Sequence, residues 1–253
     1  MIKIGILIPS TNKGLNCKSY KDTHFYNIFM KSFLETRAPD YHFKIYLVVD
    51  DDDTIYNNLS QKTSLENYVN SKDKLSIKFI SSRGIDKGHV TAMWNRAFSV
   101  AYNDNCDYFY QIGDDVLIMD KGWESYFIAE LRKMGDIGMV APFDWGRYNW
   151  EVQNNIKQKF ILTQSFVSRM HYKIFGFYFN PRIKNWFCDD WITGIYITLG
   201  RISFKKDIRI VNKGGLPRYT PPQKGAEYTY INKLCNILIG LDSLKIKKYI
   251  ELT

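Results

Sequence analysis

The stretch 106–120, CDYFYQIGDDVLIMD, constrains the chain more than any other. Tyr108, Phe109, Tyr110 and Ile112 form an aromatic and β-branched run with the composition of a buried strand. It stops at Gly113-Asp114-Asp115, and a second apolar run starts at Val116. Two adjacent carboxylates between apolar segments are costly to desolvate unless positive charge meets them. In an open α/β sheet, ligands bind beyond the carboxyl ends of the strands. Two readings follow. Gly-Asp-Asp is a solvated turn, which is ordinary turn chemistry, or Asp114 and Asp115 hold a divalent cation that carries a phosphate-bearing ligand.

The rest of the chain repeats the motif of a strand ending in polar groups. Residues 2–8 are an almost continuous β-branched run ended by Pro9, which suits a buried parallel strand. The loop 10–16 lacks both the G-x-x-x-x-G-K-[ST] and the G-x-G-x-x-G pattern, which argues against a P-loop or dinucleotide fold. Residues 23–35 have helical apolar spacing, and 43–49 (FKIYLVV) form a second strand running into Asp50-Asp51-Asp52-Asp53. Helix over 59–69, strand over 75–80, a loop holding Arg83 and Lys87, and a long helix from His89 follow. After the opening stretch come an amphipathic helix over 123–134 and a strand over 137–142. The alternation predicts a mainly parallel, doubly wound α/β sheet.

Beyond Phe143 the pattern becomes aromatic and irregular. A strand is expected over 160–167, a short helix over 168–175, a helix opening on Asp189-Asp190 within 185–196, and a strand over 202–211. Segment 213–224, KGGLPRYTPPQK, reads as a loop. Residues 228–250 read as a helix with Ile231, Leu234, Ile237, Leu238, Leu241 and Leu244 on one face. This gives a main domain over 1–225, split at about 120 into two halves, and a C-terminal helical extension over 226–253.

Composition narrows the partners. The chain has 253 residues, enough to bury a sizeable core, and its formal net charge of +9 favours polyanions, anionic membranes or phosphorylated ligands. Lys and Arg are scattered and no nucleic-acid module signature is present, so no nucleic-acid partner is expected. Cys17, Cys106, Cys188 and Cys235 match no ligand spacing, which predicts free thiols and a reducing compartment. The first apolar run is too short for a signal peptide, and no run reaches membrane-spanning length. A cytoplasmic protein is expected. Aromatics make up 16% of residues, which fits either stacking surfaces or a coding bias.

Taken in order, four segments resemble the nucleotide-sugar-dependent glycosyltransferases of the GT-A fold, family 2-like. They are ILIPST with VVDDDD, GHVTAMWNRAF, YFYQIGDDV and NWFCDDW, spread from Ile2 to Pro222. The wording of CDYFYQIGDD and NWFCDDW is also similar to glycosyltransferase-like proteins of large DNA viruses. The resemblance implies a GT-A-type sheet flanked by helices, with an irregular acceptor-side half and a C-terminal helix. It implies transfer of a sugar from a nucleoside diphosphate sugar, UDP favoured, to a hydroxyl of a glycan or glycoconjugate.

The resemblance also assigns roles. Asp115 becomes the stronger ligand for Mn²⁺ or Mg²⁺ and Asp114 its second ligand or a ribose contact; Gly113 departs from strict D-x-D. Pro9, Ser10, Thr11, Asp50, Asp51 and Asn95 fall in the nucleotide-binding set, with Arg83, Lys87 and Arg218 available to the diphosphate. Asp190 becomes the general base of an inverting reaction, beside an orienting Asp189; the plainer alternative is that these two acids only cap a helix. Asp52 and Asp53 are expected to be solvated. Trp145, Tyr148, Trp150 and Trp186 serve either as core or as sugar-stacking groups. The four histidines are expected to be structural. The basic end of the last helix is a possible membrane contact. Two other functions fit the pattern: a nucleotidyltransferase acting on sugar phosphates, and a non-catalytic nucleotide- or sugar-binding module.

Overall fold

A computed structural model describes residues 1–156, 160–214 and 225–252. The strands are β1 (Lys3–Ser10), β2 (His42–Val49), β3 (Leu75–Ser81), β4 (Tyr108–Gln111), β5 (Val116–Ile118), β6 (Met139–Asp144), β7 (Phe166–Ser168) and β8 (Ile202–Asn212). They form one sheet in the order β3-β2-β1-β4-β7-β6-β8-β5. The first four in sequence run parallel, as the alternating pattern predicted. Beyond them β7 is antiparallel to β4 and β6, while β6 and β8 are parallel. The fold is therefore α/β and mainly parallel, with antiparallel strands at the middle (β7) and at one edge (β5, against β8).

Helices cover both faces. One carries α1 (Lys31–Thr36, preceded by the π-helical turn Phe25–Met30), α2 (Leu59–Asn70) and α4 (Trp123–Lys133). These bury Phe29, Phe33, Leu65, Val69, Trp123 and Phe127 against Ile4, Ile6 and Ile45. The other carries α3 (Val90–Asn103), α6 (Arg169–Phe175), α7 (Cys188–Ile197) and α8 (Ala226–Leu252), packed on Leu7, Tyr46, Val48 and Phe109. The period-2 alternation of β1 and β2 sends successive side chains to opposite cores, so residues 4–8 and 45–49 within them are apolar on both faces.

Three expectations change. Residues 145–150, expected to be irregular, belong to α5 (Trp145–Gln153), which Asp144 caps by accepting from Arg147 N at 2.9 Å. The strand expected over 160–167 shrinks to β7, because Leu162 N donates to Thr193 Oγ1 and Ser165 N to Gln111 Oε1 instead of to a ladder. Helix α8 packs on the domain with a different face. Cys235, Leu238 and Ile246 are buried, whereas Ile237, Leu241 and Leu244 are exposed. All four cysteines are free thiols, as predicted. Of the histidines, His171 is a core residue between Tyr196 and the Tyr178 carbonyl, its pKa pushed down to about 4 by burial. Among the described residues, no helix is long and apolar enough to cross a membrane.

Candidate functional site

Parallel register assembles the first part of the site. Leu7 lies opposite Gln111, so three residues further along each strand Ser10 reaches Asp114. Ser10 Oγ donates to Asp114 Oδ2 at 2.5 Å, and the Tyr56 hydroxyl stands 3.1 Å from the same Oγ. All three residues are buried. Burial first, then the charge of Asp114, raises the Tyr56 phenol far above its usual value, which keeps it neutral. Asp114 thus sits in the interior, tied to the end of β1.

Asp115 faces the other way. It is partly buried and lines a cleft of about 230 Å³ together with Pro9, Ser10, Thr11, Gly113 and Asp189. Its carboxylate lies between two glycines. A Cβ on Gly113 would come within 2.7 Å of Asp115 Oδ1, and one on Gly214 within 1.9 Å of Oδ2 and 2.6 Å of Cγ. Lys213 N donates to the Asp115 carbonyl at 2.8 Å, which sets the end of β8 against this turn. Glycine at 113 therefore has a local reason: a side chain there would press on the Asp115 carboxylate.

The second acidic pair reaches the same cleft from α7. Phe187 precedes the helix at φ +74°, a left-handed conformation that costs a bulky residue roughly 1–2 kcal/mol. Its carbonyl accepts from Trp191 N at 2.9 Å and its ring packs on Tyr228 at 5.1 Å. Strain of this kind gathers at functional sites. Beyond it Asp189 lines the cleft, with Asn185 and Trp186 beside it. Burial and the neighbouring Asp190 push the Asp189 carboxyl up to about 8, opposed by Arg147 and reinforced by Asp144. Asp190 is partly buried at the same helix start and is not among the residues lining this cleft.

Other predicted site residues lie apart from the cleft. The amide of Asn95 is spent on backbone: its oxygen accepts from Tyr178 N and Phe179 N, and its nitrogen donates to the Phe179 carbonyl at 2.8 Å. It clamps residues 178–179 and is not among the residues lining the cleft. Asp51 and Arg83 are exposed, and Asp50 is partly buried. Lys87 pairs with Asp52 across the rim, both exposed, and this holds the Asp52 carboxyl below its usual range. Asp53, expected to be solvated, is buried instead. It accepts from Asn12 N at 2.7 Å, Tyr56 N at 2.8 Å and Ile55 N at 2.9 Å, so it ties the β1 exit loop to the β2 exit loop. Arg218 lies outside the described residues.

A second cleft adjoins the first. Phe143, Tyr148, Phe160 and Phe204 line it with Asp144, Arg147, Glu151 and Lys206. Arg147 Nε donates to Glu151 at 2.8 Å, and Asp144 accepts from Thr163 Oγ1 at 2.9 Å. The Trp145 and Tyr148 rings stack at 5.9 Å and 20°. Trp145, Tyr148, Trp150 and Trp186 are 37–57% exposed, so they are surface rather than core. Sequence reasoning missed Tyr56, Gln111, Gln164 and Gly214. Gln164 holds Gly113 N at 3.0 Å, and Gln111 carries the Ser165 hydroxyl beneath the cleft. Only Gly214 left a signal, as part of the glycine pair opening segment 213–224.

Among the described residues, no three His, Cys, Asp or Glu side chains converge to hold a metal. The donor set nevertheless suits a hard cation completed by its ligand. Mg²⁺ is commonly held by one or two carboxylates plus substrate phosphates and water, and Asp115 offers one carboxylate in a glycine-lined niche.

No protein-family model matches the chain, nor does any curated protein sequence. Solved structures of TarS from S. aureus do. TarS 1–349 in complex with UDP is 16% identical with a TM-score of 0.56, over 83% of this chain and 60% of that one. TarS 1–349 in complex with UDP-GlcNAc is 15% identical with a TM-score of 0.62, over 94% and 66%. TarS in a longer form is 16% identical with a TM-score of 0.57, and the chain spans 37% of it. The present chain thus spans about 60% of the first of these. These likenesses concern the fold, which is α/β of the GT-A type.

Proposed function

We propose that the chain is a glycosyltransferase that moves a sugar from a nucleoside diphosphate sugar, UDP-linked by preference, to a hydroxyl of a glycan or glycoconjugate. The observation that carries this reading is convergence. The β1 exit, the β4 exit and the start of α7, three segments far apart in sequence, meet at one cleft with Asp115 and Asp189 on its walls. The shared fold with a protein crystallised with UDP and UDP-GlcNAc supports the choice of donor.

In the proposed reaction the acceptor oxygen bonds to the anomeric carbon as the bond from that carbon to the diphosphate oxygen breaks. The acceptor proton passes to a carboxylate and the nucleoside diphosphate leaves. A single displacement inverts the anomeric centre. Asp115 would hold Mn²⁺ or Mg²⁺, which when bound stabilises charge growing on the leaving diphosphate. Ser10 and Tyr56 fix Asp114, and through it the turn that carries Asp115. At neutral pH a carboxyl raised to about 8 is mostly protonated, so Asp189 acts as a hydrogen-bond donor that orients substrate. Asp190 beside it takes the proton. The aromatic cleft of Phe143, Tyr148, Phe160 and Phe204 offers flat apolar faces for the acceptor sugars.

The test is a thermal-shift panel of UDP-, GDP- and dTDP-sugars with and without Mn²⁺. A metal-dependent rise in Tm with UDP-sugars alone is the expected result. A shift with free nucleoside triphosphates and sugar phosphates instead would favour the nucleotidyltransferase reading. No shift with any donor would sink the proposal.

A further inference from the structure

Helix α8 has two unlike faces. Its inner face is fixed by Asp242, a buried carboxylate that accepts from Asn180 Nδ2 at 2.7 Å and Trp191 Nε1 at 3.1 Å. Beneath the helix, a Cβ on Gly194 of α7 would meet Ile239 Cδ1 at 2.5 Å, so the two helices approach as closely as a glycine allows. With the rotation set in this way, Tyr230, Ile237, Leu241 and Leu244 point outward, 65, 59, 53 and 55% exposed. At about 100° per residue they fall along a single stripe. Contiguous exposed apolar surface of this kind marks an interaction site. Lys233 and Lys247 lie on one flank of the stripe and Lys248 in line with it, all exposed, while Lys245 on the other flank pairs with Asp242 at 2.8 Å. Acids on the helix outside its buried face are confined to its ends, at Glu227 and Glu251.

We infer that α8 docks the protein on an anionic lipid surface, with the apolar stripe at the boundary between headgroups and acyl chains. Lys233, Lys247 and Lys248 suit this occupant, because their stems cover apolar surface while their ammonium groups reach out to phosphates. The net charge of +9 adds a long-range attraction of the same sign.

The experiment is co-sedimentation of the whole chain with phosphatidylcholine vesicles, with and without phosphatidylglycerol. Binding is expected to the anionic vesicles only and to weaken with salt. Replacing Ile237, Leu241 and Leu244 together by Ser should lower partitioning about tenfold or more, with an unchanged far-UV circular dichroism spectrum. Charge reversal of Lys233, Lys247 and Lys248 to Glu leaves the buried face intact and should abolish binding separately. Equal binding to neutral vesicles, or none to anionic ones at low salt, would overturn the inference. So would a dimer in sedimentation velocity that the triple Ser variant dissolves, because the stripe would then be covered by a second copy.

Discussion

Asp114-Asp115 and Asp189-Asp190 are the same dipeptide, and each puts one acid on the wall of the same cleft, yet their surroundings differ in kind. At the β4 exit the first acid is buried and bound by Ser10 Oγ at 2.5 Å, and the second is presented to the cleft between glycines. At the start of α7 the first acid lines the cleft with its carboxyl raised to about 8, and the second follows it along the helix. One pair sits where hydroxyls offer hydrogen bonds to negative charge. The other sits where burial and mutual repulsion oppose it. Under the proposed function the first pair holds the cation and the second carries the proton chemistry.

Substitutions that remove charge without changing shape test this contrast most severely. Asp190→Asn is expected to lower the rate of transfer by about 10²–10⁴ while leaving the donor-induced thermal shift in place. Asp189→Asn should cost much less, because an amide still donates a hydrogen bond where the protonated acid did. Steady-state transfer assays on the two variants settle the order of roles. If Asp189→Asn is the more damaging, the acid on the cleft wall is the base and the two assignments exchange.

A smaller effect is expected at the other pair. Gly214→Ala places a methyl group where the Asp115 carboxylate now lies, so the carboxylate must rotate away. A displacement on the order of 1 Å can cost about 100-fold in rate, and the loss should appear as a raised Mn²⁺ requirement. Asp190→Asn should leave that requirement unchanged. An unaltered Mn²⁺ titration in the Gly214→Ala variant would detach Asp115 from the metal.

Much of this arrangement was legible because hydrophobic period and strand-end chemistry are local. Residues 2–8, 43–49 and 108–112 read as strands from composition alone, and parallel pairing of the first with the last sets Ser10 beside Asp114. The chain does not advertise how each polar side chain is spent. Asn95 looks like a ligand-binding amide until its partners on residues 178–179 are known, and Asp53 looks like one of four solvated acids until Asn12 folds over it. The apolar face of α8 misled for a related reason. Helical spacing groups Ile237, Leu241 and Leu244 with Leu234, but Asp242, a residue that periodicity treats as outward, turns the helix so that they face away. The viral likeness rests on the wording of CDYFYQIGDD and NWFCDDW alone.

The smallest expected effect is on stability, and it follows from the sign of the Asp189 shift. In the unfolded chain this carboxyl ionises near its ordinary value of 3.8, whereas in the native cleft it holds its proton up to about 8. Between those limits the native state binds the extra proton, so its contribution is fully present at low pH and fades as pH rises toward 8. One whole proton would give about 1.4 kcal/mol per pH unit, and Asp189, on an open cleft, should show a fraction of that. Glu124, fully buried in the first turn of α4 and raised to about 7 by burial, adds a slope of the same sign at lower pH. Comparing wild type with Asp189→Asn cancels the Glu124 share. Melting temperatures measured from pH 5 to 8 should therefore decline more steeply for wild type than for the variant. Parallel curves would mean that Asp189 is already ionised at neutral pH, and the contrast between the two acidic pairs would then lie in geometry alone.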